Sequence, residues 1–332
     1  MVGKVGAAKV GVARVAVALA AGLWAAGAFA QTAGYPNRPI RFMVGFPPGG
    51  STDVAARLIA PRLAERLGQQ LVIDNRGGAG GNIGVDAVAK APPDGYTIGF
   101  GVSGALAVNV TLQPNLPYDP LKDPAPVALA MINPLVLCTA PDTPAASLQE
   151  LVAYARPRPG RLSYGTGGSG TAMHLAGAML NLMAGIELVH VAYKGNSAAA
   201  TGLVGNQIPV AVVDLTSAGS FIRAGRIRAL GVTSATRTQL APDIPSLAER
   251  GLPGFDVTSW FGVIAPAGTP ADIVALLNAE LIAVLKAPEM REKLAAAGLE
   301  PVLGTSDEFA TLIRSEIRKY AQLIRSSGIR LE

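Results

Sequence analysis

A single cysteine in 332 residues excludes an internal disulfide, and Cys138 lies in the apolar run PLVLCTA, where a buried strand residue is expected. There are only two histidines, His174 and His190, and no spaced acidic cluster, so no recognisable metal site is encoded. No run of Lys and Arg suggests a nucleic-acid partner. No Gly-Lys-Ser/Thr closes any glycine loop, which argues against nucleoside triphosphates. No G-x-S-x-G elbow is present, which weakens a serine hydrolase reading built on Ser51 or Ser169 with His174. Neither a cofactor nor a metal is expected.

Residues 1–30 carry Lys4, Lys9 and Arg14, then an apolar run from Val15 to Ala26, then Ala28-Phe29-Ala30. That order predicts a secretory signal peptide cleaved before Gln31, since the apolar core is shorter than the roughly 20 residues that span a bilayer. The expected location of the mature chain is therefore periplasmic. The leader holds three of the 28 basic residues and none of the 23 acidic ones, so the formal charge of +5 falls to +2 on cleavage. About 300 mature residues suit two α/β domains better than one core.

Strand-like and helix-like runs alternate along the mature chain, which predicts largely parallel sheets flanked by helices. IRFMVGF precedes a helix over Thr52–Leu67, with Ala55, Ile59, Leu63 and Leu67 on one stripe and Gly68 to end it. QLVIDN precedes a helix over Ile83–Lys90, and GYTIGFGV precedes a short Ala-rich segment. Five prolines in Leu112–Val127 rule out a helix and predict a crossing connection. A second series follows, with helices opening at Ser147, Thr171, Ala198 and Ser217. The chain is expected to return to the first domain near Phe255–Pro266. Thr269 is the expected N-cap of one late helix, and Thr305 to Glu308 a capping box for the last.

Glycine joins strand to helix in FPPGGSTD (46–53), NRGGAGGNIG (75–84) and YGTGGSGTAMH (164–174). Ligands gather outside the carboxyl ends of strands in such sheets, so the three loops are candidates for one crevice. Two of them pair glycines with hydroxyls: Ser51 and Thr52, then Thr166, Ser169 and Thr171. Backbone N–H groups and neutral hydroxyls bind a carboxylate without a buried counter-charge. GTGGSG also matches the dinucleotide pattern, but the next strand ends in Tyr193-Lys194 where that fold needs an acid. Asp214 ends a strand and either faces the crevice or caps the helix at Ser217. Asp53 suits a dipole partner of its own helix.

The succession YPNRPIRFMVGFPPGGSTDVAARL, LPYDPLKD, LSYGTGGSGTAMHLAG, VHVAYKG, IRALGVTS and SWFGVIAPAGTP resembles the periplasmic solute-binding proteins of tripartite tricarboxylate transporters, the Bug family, from about Tyr35 to the C-terminus. The resemblance implies a two-lobed periplasmic-binding-protein fold of the type II, Venus-flytrap kind, each lobe a mainly parallel sheet flanked by helices. Lobe 1 is expected over 31–131 plus 258–332 and lobe 2, inserted, over 132–257. It further implies that Gly49, Gly50, Ser51 and Thr52 on one lobe, and Thr166, Gly167, Gly168, Ser169, Gly170, Thr171 and His174 on the other, grip a carboxylate. Ser103 and Asp214 fall on further cleft positions. The implied partners are a small carboxylate (a di- or tricarboxylate, an acidic amino acid or an aromatic acid) and the membrane subunits of the transporter. The resemblance implies no enzyme, and the Ala-rich, modestly charged mature chain gives no sign of a stable oligomer, so a monomer is expected. An exported ester hydrolase and a receptor-docking carboxylate sensor are the competing readings.

Overall fold

The structure, a computed structural model, describes residues 34–327. The expected signal peptide lies outside the described residues. Contacts divide the chain into Met1–Asn37, of which 34–37 are described as turn and bend, and Arg38–Glu332, which holds all the regular structure among the described residues.

The sequence alternation appears as β1 (Ile40–Val44), α1 (Ser51–Leu67), β2 (Leu71–Asn75), α2 (Asn82–Ala89) and β3 (Thr97–Val102). A π-helical turn over Gly104–Val108 then runs into the short α3 (Asn109–Leu112), and β4 (Pro124–Asn133) follows. The second series is β5 (Leu135–Thr139), α4 (Leu148–Ala155), β6 (Leu162–Thr166), α5 (Ala172–Ala184), β7 (Leu188–Ala192), α6 (Asn196–Val204), β8 (Val210–Asp214), α7 (Leu215–Arg223) and β9 (Arg228–Val232). Last come β10 (Ser259–Pro266), α8 (Ala271–Lys286), α9 (Pro288–Ala296), β11 (Glu300–Pro301) and α10 (Ser306–Ser327). No described helix is long and apolar enough to cross a membrane.

Two sheets result, ordered β11-β4-β10-β3-β1-β2 and β7-β6-β8-β5-β9. Both are mixed rather than mainly parallel. In the first, β1 pairs parallel with β2 and β3, while β10 runs antiparallel to β3 and β4. In the second, β6 pairs parallel with β7 and β8, while β5 runs antiparallel to β8 and β9. β11 is antiparallel to β4 as well; β5 and β10, the reversed strands at the two changes of sheet, have no crossover helix before them. The five-proline stretch 112–127, expected as a crossing, instead delivers β4 to the first sheet. Pro124 begins that strand and Pro126 sits beside a register shift, the two places where a strand tolerates proline. The change of sheet falls at Pro134, and the return lies between β9 and β10.

The first core stacks Phe42 on Phe100 and Phe100 on Phe261, each edge to face at 4.8 Å between ring centres. In the second sheet both faces are covered. Leu135, Leu137, Val210 and Val212 pack on one side, and Val136, Cys138, Ala211 and Val213 on the other, which is why these strands are unbroken apolar runs.

Local chemistry sets the helix ends. The α1 stripe Ala55, Ile59, Leu63 and Leu67 is buried, the helix continues through Pro61, and Gly68 ends it at φ 69°. Ser147 accepts from Glu150 N–H at 3.2 Å, and Thr305 and Glu308 bond reciprocally. Thr269 is not a cap: its hydroxyl donates to Pro266 O at 2.7 Å, and Pro270 takes the N-cap position. Two helices begin two residues earlier than expected, α6 at Asn196 and α7 at Leu215, the latter because Asp214 is its cap.

Candidate functional site

The break after β1 is held open by a carboxylate behind it. Gly49, at φ 84°, donates its N–H to Asp53 Oδ2 at 2.9 Å, and Asn75 ties Phe46 O and Asp53 Oδ1 together at 2.9 and 3.0 Å. Burial pushes the Asp53 carboxyl up, but hydrogen bonds from Arg57, the Gly49 N–H and Asn75 outweigh it and hold it below the usual carboxylate value. Asp53 therefore shapes the loop, as its place in the first turn suggests. Gly50 caps α1 without a side chain, so the first-turn N–H groups receive no side-chain acceptor.

On the second sheet, the loop after β6 wraps on itself. Thr166 is fully buried, its Oγ1 lies 2.7 Å from His190 Nε2, and Thr171 Oγ1 donates to Gly168 O at 2.8 Å while accepting from His174 N–H at 3.3 Å. His174 Nδ1 accepts from Gly170 N–H at 3.3 Å, which fixes its proton on Nε2. His190, read from the sequence as a core or strand residue, stacks on His174 at 4.0 Å. Burial lowers His174 to about 4; burial and the neighbouring His174 lower His190 to about 3. Both rings are neutral props beneath the glycine loop, and His174 forms no hydrogen bond to a serine among the described residues.

One cleft between the two sheets has an empty volume of about 600 Å3, counting the part open to solvent. Of the sequence candidates, Gly50, Ser51, Thr52, Ser103 and Thr171 line it. Gly49, Thr166, Gly167, Gly168, Ser169, Gly170, His174 and Asp214 are not among its lining residues. Gly80, from the second glycine loop, lines the same cleft, so all three loops meet there. Asn133, Asn196, Ser197 and Ser259 also line it and escape sequence reasoning: Asn133 ends β4 and Ser259 begins β10 with no glycine beside them, and Asn196 and Ser197 follow only the single Gly195. Phe46, Val102, Met173 and Phe261 supply an apolar wall, and Lys194 is the one charged lining residue.

Asp214 organises the polar side. It is fully buried at the end of β8, its Oδ1 accepts from Ser217 N–H at 2.8 Å, and its Oδ2 accepts from Asn133 Nδ2 at 3.1 Å and from Asn196 Nδ2. The cap and crevice alternatives for this residue thus combine: it caps α7 and reaches the cleft through two amides. Asn133 Nδ2 also donates to Ser51 Oγ at 3.0 Å. A hydroxyl that accepts from an amide turns its own proton elsewhere, so Ser51 is poised as a donor. Across the cleft, Ser197 Oγ donates to Gly49 O at 2.8 Å. Neutral donors, two uncapped helix starts and no lining carboxylate make a site for an anion.

The comparisons agree with that chemistry. Residues 55–329 match the family model described as "Tripartite tricarboxylate transporter family receptor". Protein BugT of Bordetella pertussis is 40% identical over 299 residues, 90% of this chain and 92% of BugT. The structure of Rpa4515 of R. palustris with adipate superposes with a TM-score of 0.86 at 37% identity, covering 89% of this chain and 99% of that one. MatC of Rhodopseudomonas palustris with bound malate gives a TM-score of 0.83 at 33% identity, covering 87% of this chain and 100% of that one. Together with the periplasmic-binding-protein fold on which these glycine loops are mounted, the matches show that this chain belongs to the tripartite tricarboxylate transporter receptor family.

Proposed function

We propose that this chain is a periplasmic solute-binding protein that closes two lobes on a small carboxylate and hands it to the membrane subunits of a tripartite transporter. The observation that carries the reading is the cleft itself: hydroxyls and uncapped helix starts from opposite sheets face one cavity with no acid in its lining. The lobes are taken as 31–131 with 258–332, and 132–257. Their hinge strands lie at Pro134 and between β9 and β10. Adipate and malate bound to R. palustris relatives support a carboxylate as the ligand class.

In this reading Ser51 O–H, Thr52 and the first N–H groups of α1 hold one carboxylate with Ser103 beside them on the same lobe, and Thr171 closes over it from the other. Gly49, Gly50 and the loop Thr166–Gly170 give the backbone its shape, and His174 props that loop. Neutral donors avoid the desolvation of a buried arginine, which keeps release easy. Ligand contact with both lobes favours the closed form by as much as it binds that form better.

A thermal-shift screen of acids beside their methyl esters tests the class. An acid at a thousand times its Kd stabilises by about 4 kcal/mol, and its ester is expected to do nothing. Ser51→Ala combined with Thr171→Ala is expected to weaken acid binding in calorimetry with the fold intact. Unchanged affinity rejects the cradle, and ester turnover that disappears in Ser169→Ala replaces it with a hydrolase.

A further inference from the structure

We propose that closing the two lobes is opposed by polar side-chain atoms that the seam between them buries without a partner, so that the free chain rests open; this rests on the two-lobed reading above. The structure has the lobes in contact. Ser197 Oγ donates to Gly49 O at 2.8 Å, and a Cβ at Gly80 would lie 2.5 Å from Ser169 O. Two oxygens face the opposite lobe along this seam. Asn109, fully buried in α3, donates Nδ2 to Asn82 Oδ1 at 2.9 Å, while its own Oδ1 has no partner among the described residues. What covers that oxygen is backbone carbon, since a Cβ on Gly170 of the other lobe would overlap it. Thr216 Oγ1, in the first turn of α7, is likewise buried and without a partner. Gly298, just before β11, presses on that turn from the first lobe, and a Cβ there would lie 2.9 Å from Thr216 N.

The two contacts are reciprocal. In one, a first-lobe oxygen lies under a second-lobe glycine; in the other, a second-lobe hydroxyl lies beside a first-lobe glycine. A buried polar atom without a partner forfeits its hydrogen bonds to water and gains none in return. Parting the lobes lifts Gly170 from Asn109 and Gly298 from Thr216 and lets water reach both oxygens, so the penalty falls on the closed form alone. Glycine makes it possible, because any side chain at those positions would hold the surfaces apart. A ligand that touches both lobes has to offset the penalty before the closed form prevails. Part of its binding free energy goes into that, which lowers its apparent affinity and favours opening once its contacts are withdrawn.

The test uses the purified protein and Thr216, which lies outside the cleft lining. Thr216→Val keeps the shape of the side chain and removes the hydroxyl. Thr216→Ser and Thr216→Ala both lose the methyl group, and only the first keeps the hydroxyl. Spin labels on cysteines introduced at the exposed Leu121 and Leu182, one in each lobe, report the distance between lobes without any ligand. The ratio of closed to open protein is expected to rise roughly five- to tenfold in Thr216→Val against the unaltered protein, and by a similar factor in Thr216→Ala against Thr216→Ser. Where malate or adipate binds, calorimetry is expected to show its affinity rising with the closed fraction. Two populations that Thr216→Val leaves unmoved, or shifts towards open, overturn the proposal and leave the closing motion standing. Equal shifts in Thr216→Ala and Thr216→Ser assign the effect to packing and overturn it too. A single distance in every variant, with or without acid, overturns the closing motion and the proposal together.

Discussion

Asn133 Nδ2 donates to Asp214 Oδ2 at 3.1 Å, joining the last residue of β4 in one sheet to the last residue of β8 in the other. The bond sits one residue before the chain changes sheets at Pro134. A carboxylate can only accept, so it dictates which end of the amide faces it. Asn133 consequently presents its second proton to Ser51.

Asp214→Asn is nearly isosteric and replaces one acceptor oxygen by a donor. It sets an amide against Asn133 and Asn196, both of which offer N–H groups. The expected result is a loss of about 1–3 kcal/mol in denaturant unfolding, together with weaker acid binding through a misdirected Ser51. Unchanged affinity in a folded variant would show that Ser51 needs no such direction.

Gly104, in the turn after β3, lies close against the loop after β6. A Cβ there would come within 2.7 Å of Gly170 O and 3.1 Å of Thr171 Cα. Both are backbone atoms and neither belongs to a flexible side chain. Gly104→Ala is expected to hold the cleft ajar, lowering acid affinity about tenfold or more while leaving the melting temperature of the ligand-free protein within a degree or two. Small-angle scattering that shows normal compaction on adding a bound acid would refute this.

The stacked histidines give the protein an acid-sensitive side. Both imidazoles have folded pKa values below the ordinary 6.5, about 4 for His174 and about 3 for His190. The unfolded chain therefore binds more protons in the interval between, and stability is lost as pH falls from about 6.5 towards 4. Each ring contributes at most about 1.4 kcal/mol per pH unit. Tyr164, 5.1 Å from His190, is the other titratable ring in contact. Asp53 adds to the loss only near and below its ordinary value of 3.8, because its folded carboxyl is held lower still. Urea midpoints from pH 7 to 4.5 are expected to decline, and less steeply in His190→Gln.

Gly177 illustrates packing without any demand on the backbone. A Cβ there would run into the ring of Tyr164, which is almost completely buried against α5. Gly177→Ala is expected to destabilise the protein by about 1–3 kcal/mol with little change in affinity for a bound acid. Calorimetric unfolding compared with titration separates the two effects.

The three loops that meet at the cleft were legible because glycine and hydroxyl residues at strand-to-helix breaks have few other reasons to cluster, although only Gly50, Ser51, Thr52, Ser103 and Thr171 of the candidates line it. The capping pairs Ser147 with Glu150 and Thr305 with Glu308 were equally plain, being local. The direction of β4, β5 and β10 was not, since a strand's apolar pattern is the same whichever way it runs. Asn133 and Asn196 were invisible for a related reason. Their importance comes from Asp214, far away in sequence, and only tertiary contact reveals which amide protons are taken. Lys194 was noticed solely as an obstacle to a dinucleotide site.

Cys138 lies fully buried in β5, and burial raises its thiol well above the ordinary range. A thiol that neither ionises nor meets solvent is a poor target for maleimide. A cysteine introduced at Lys194, exposed and in the cleft lining, would then be labelled selectively in native protein without removing the natural one. A fluorophore there would turn each closing of the cleft into an optical signal, so that the chain's own sole sulfhydryl, by staying inert, makes it a ready scaffold for a reagentless acid sensor.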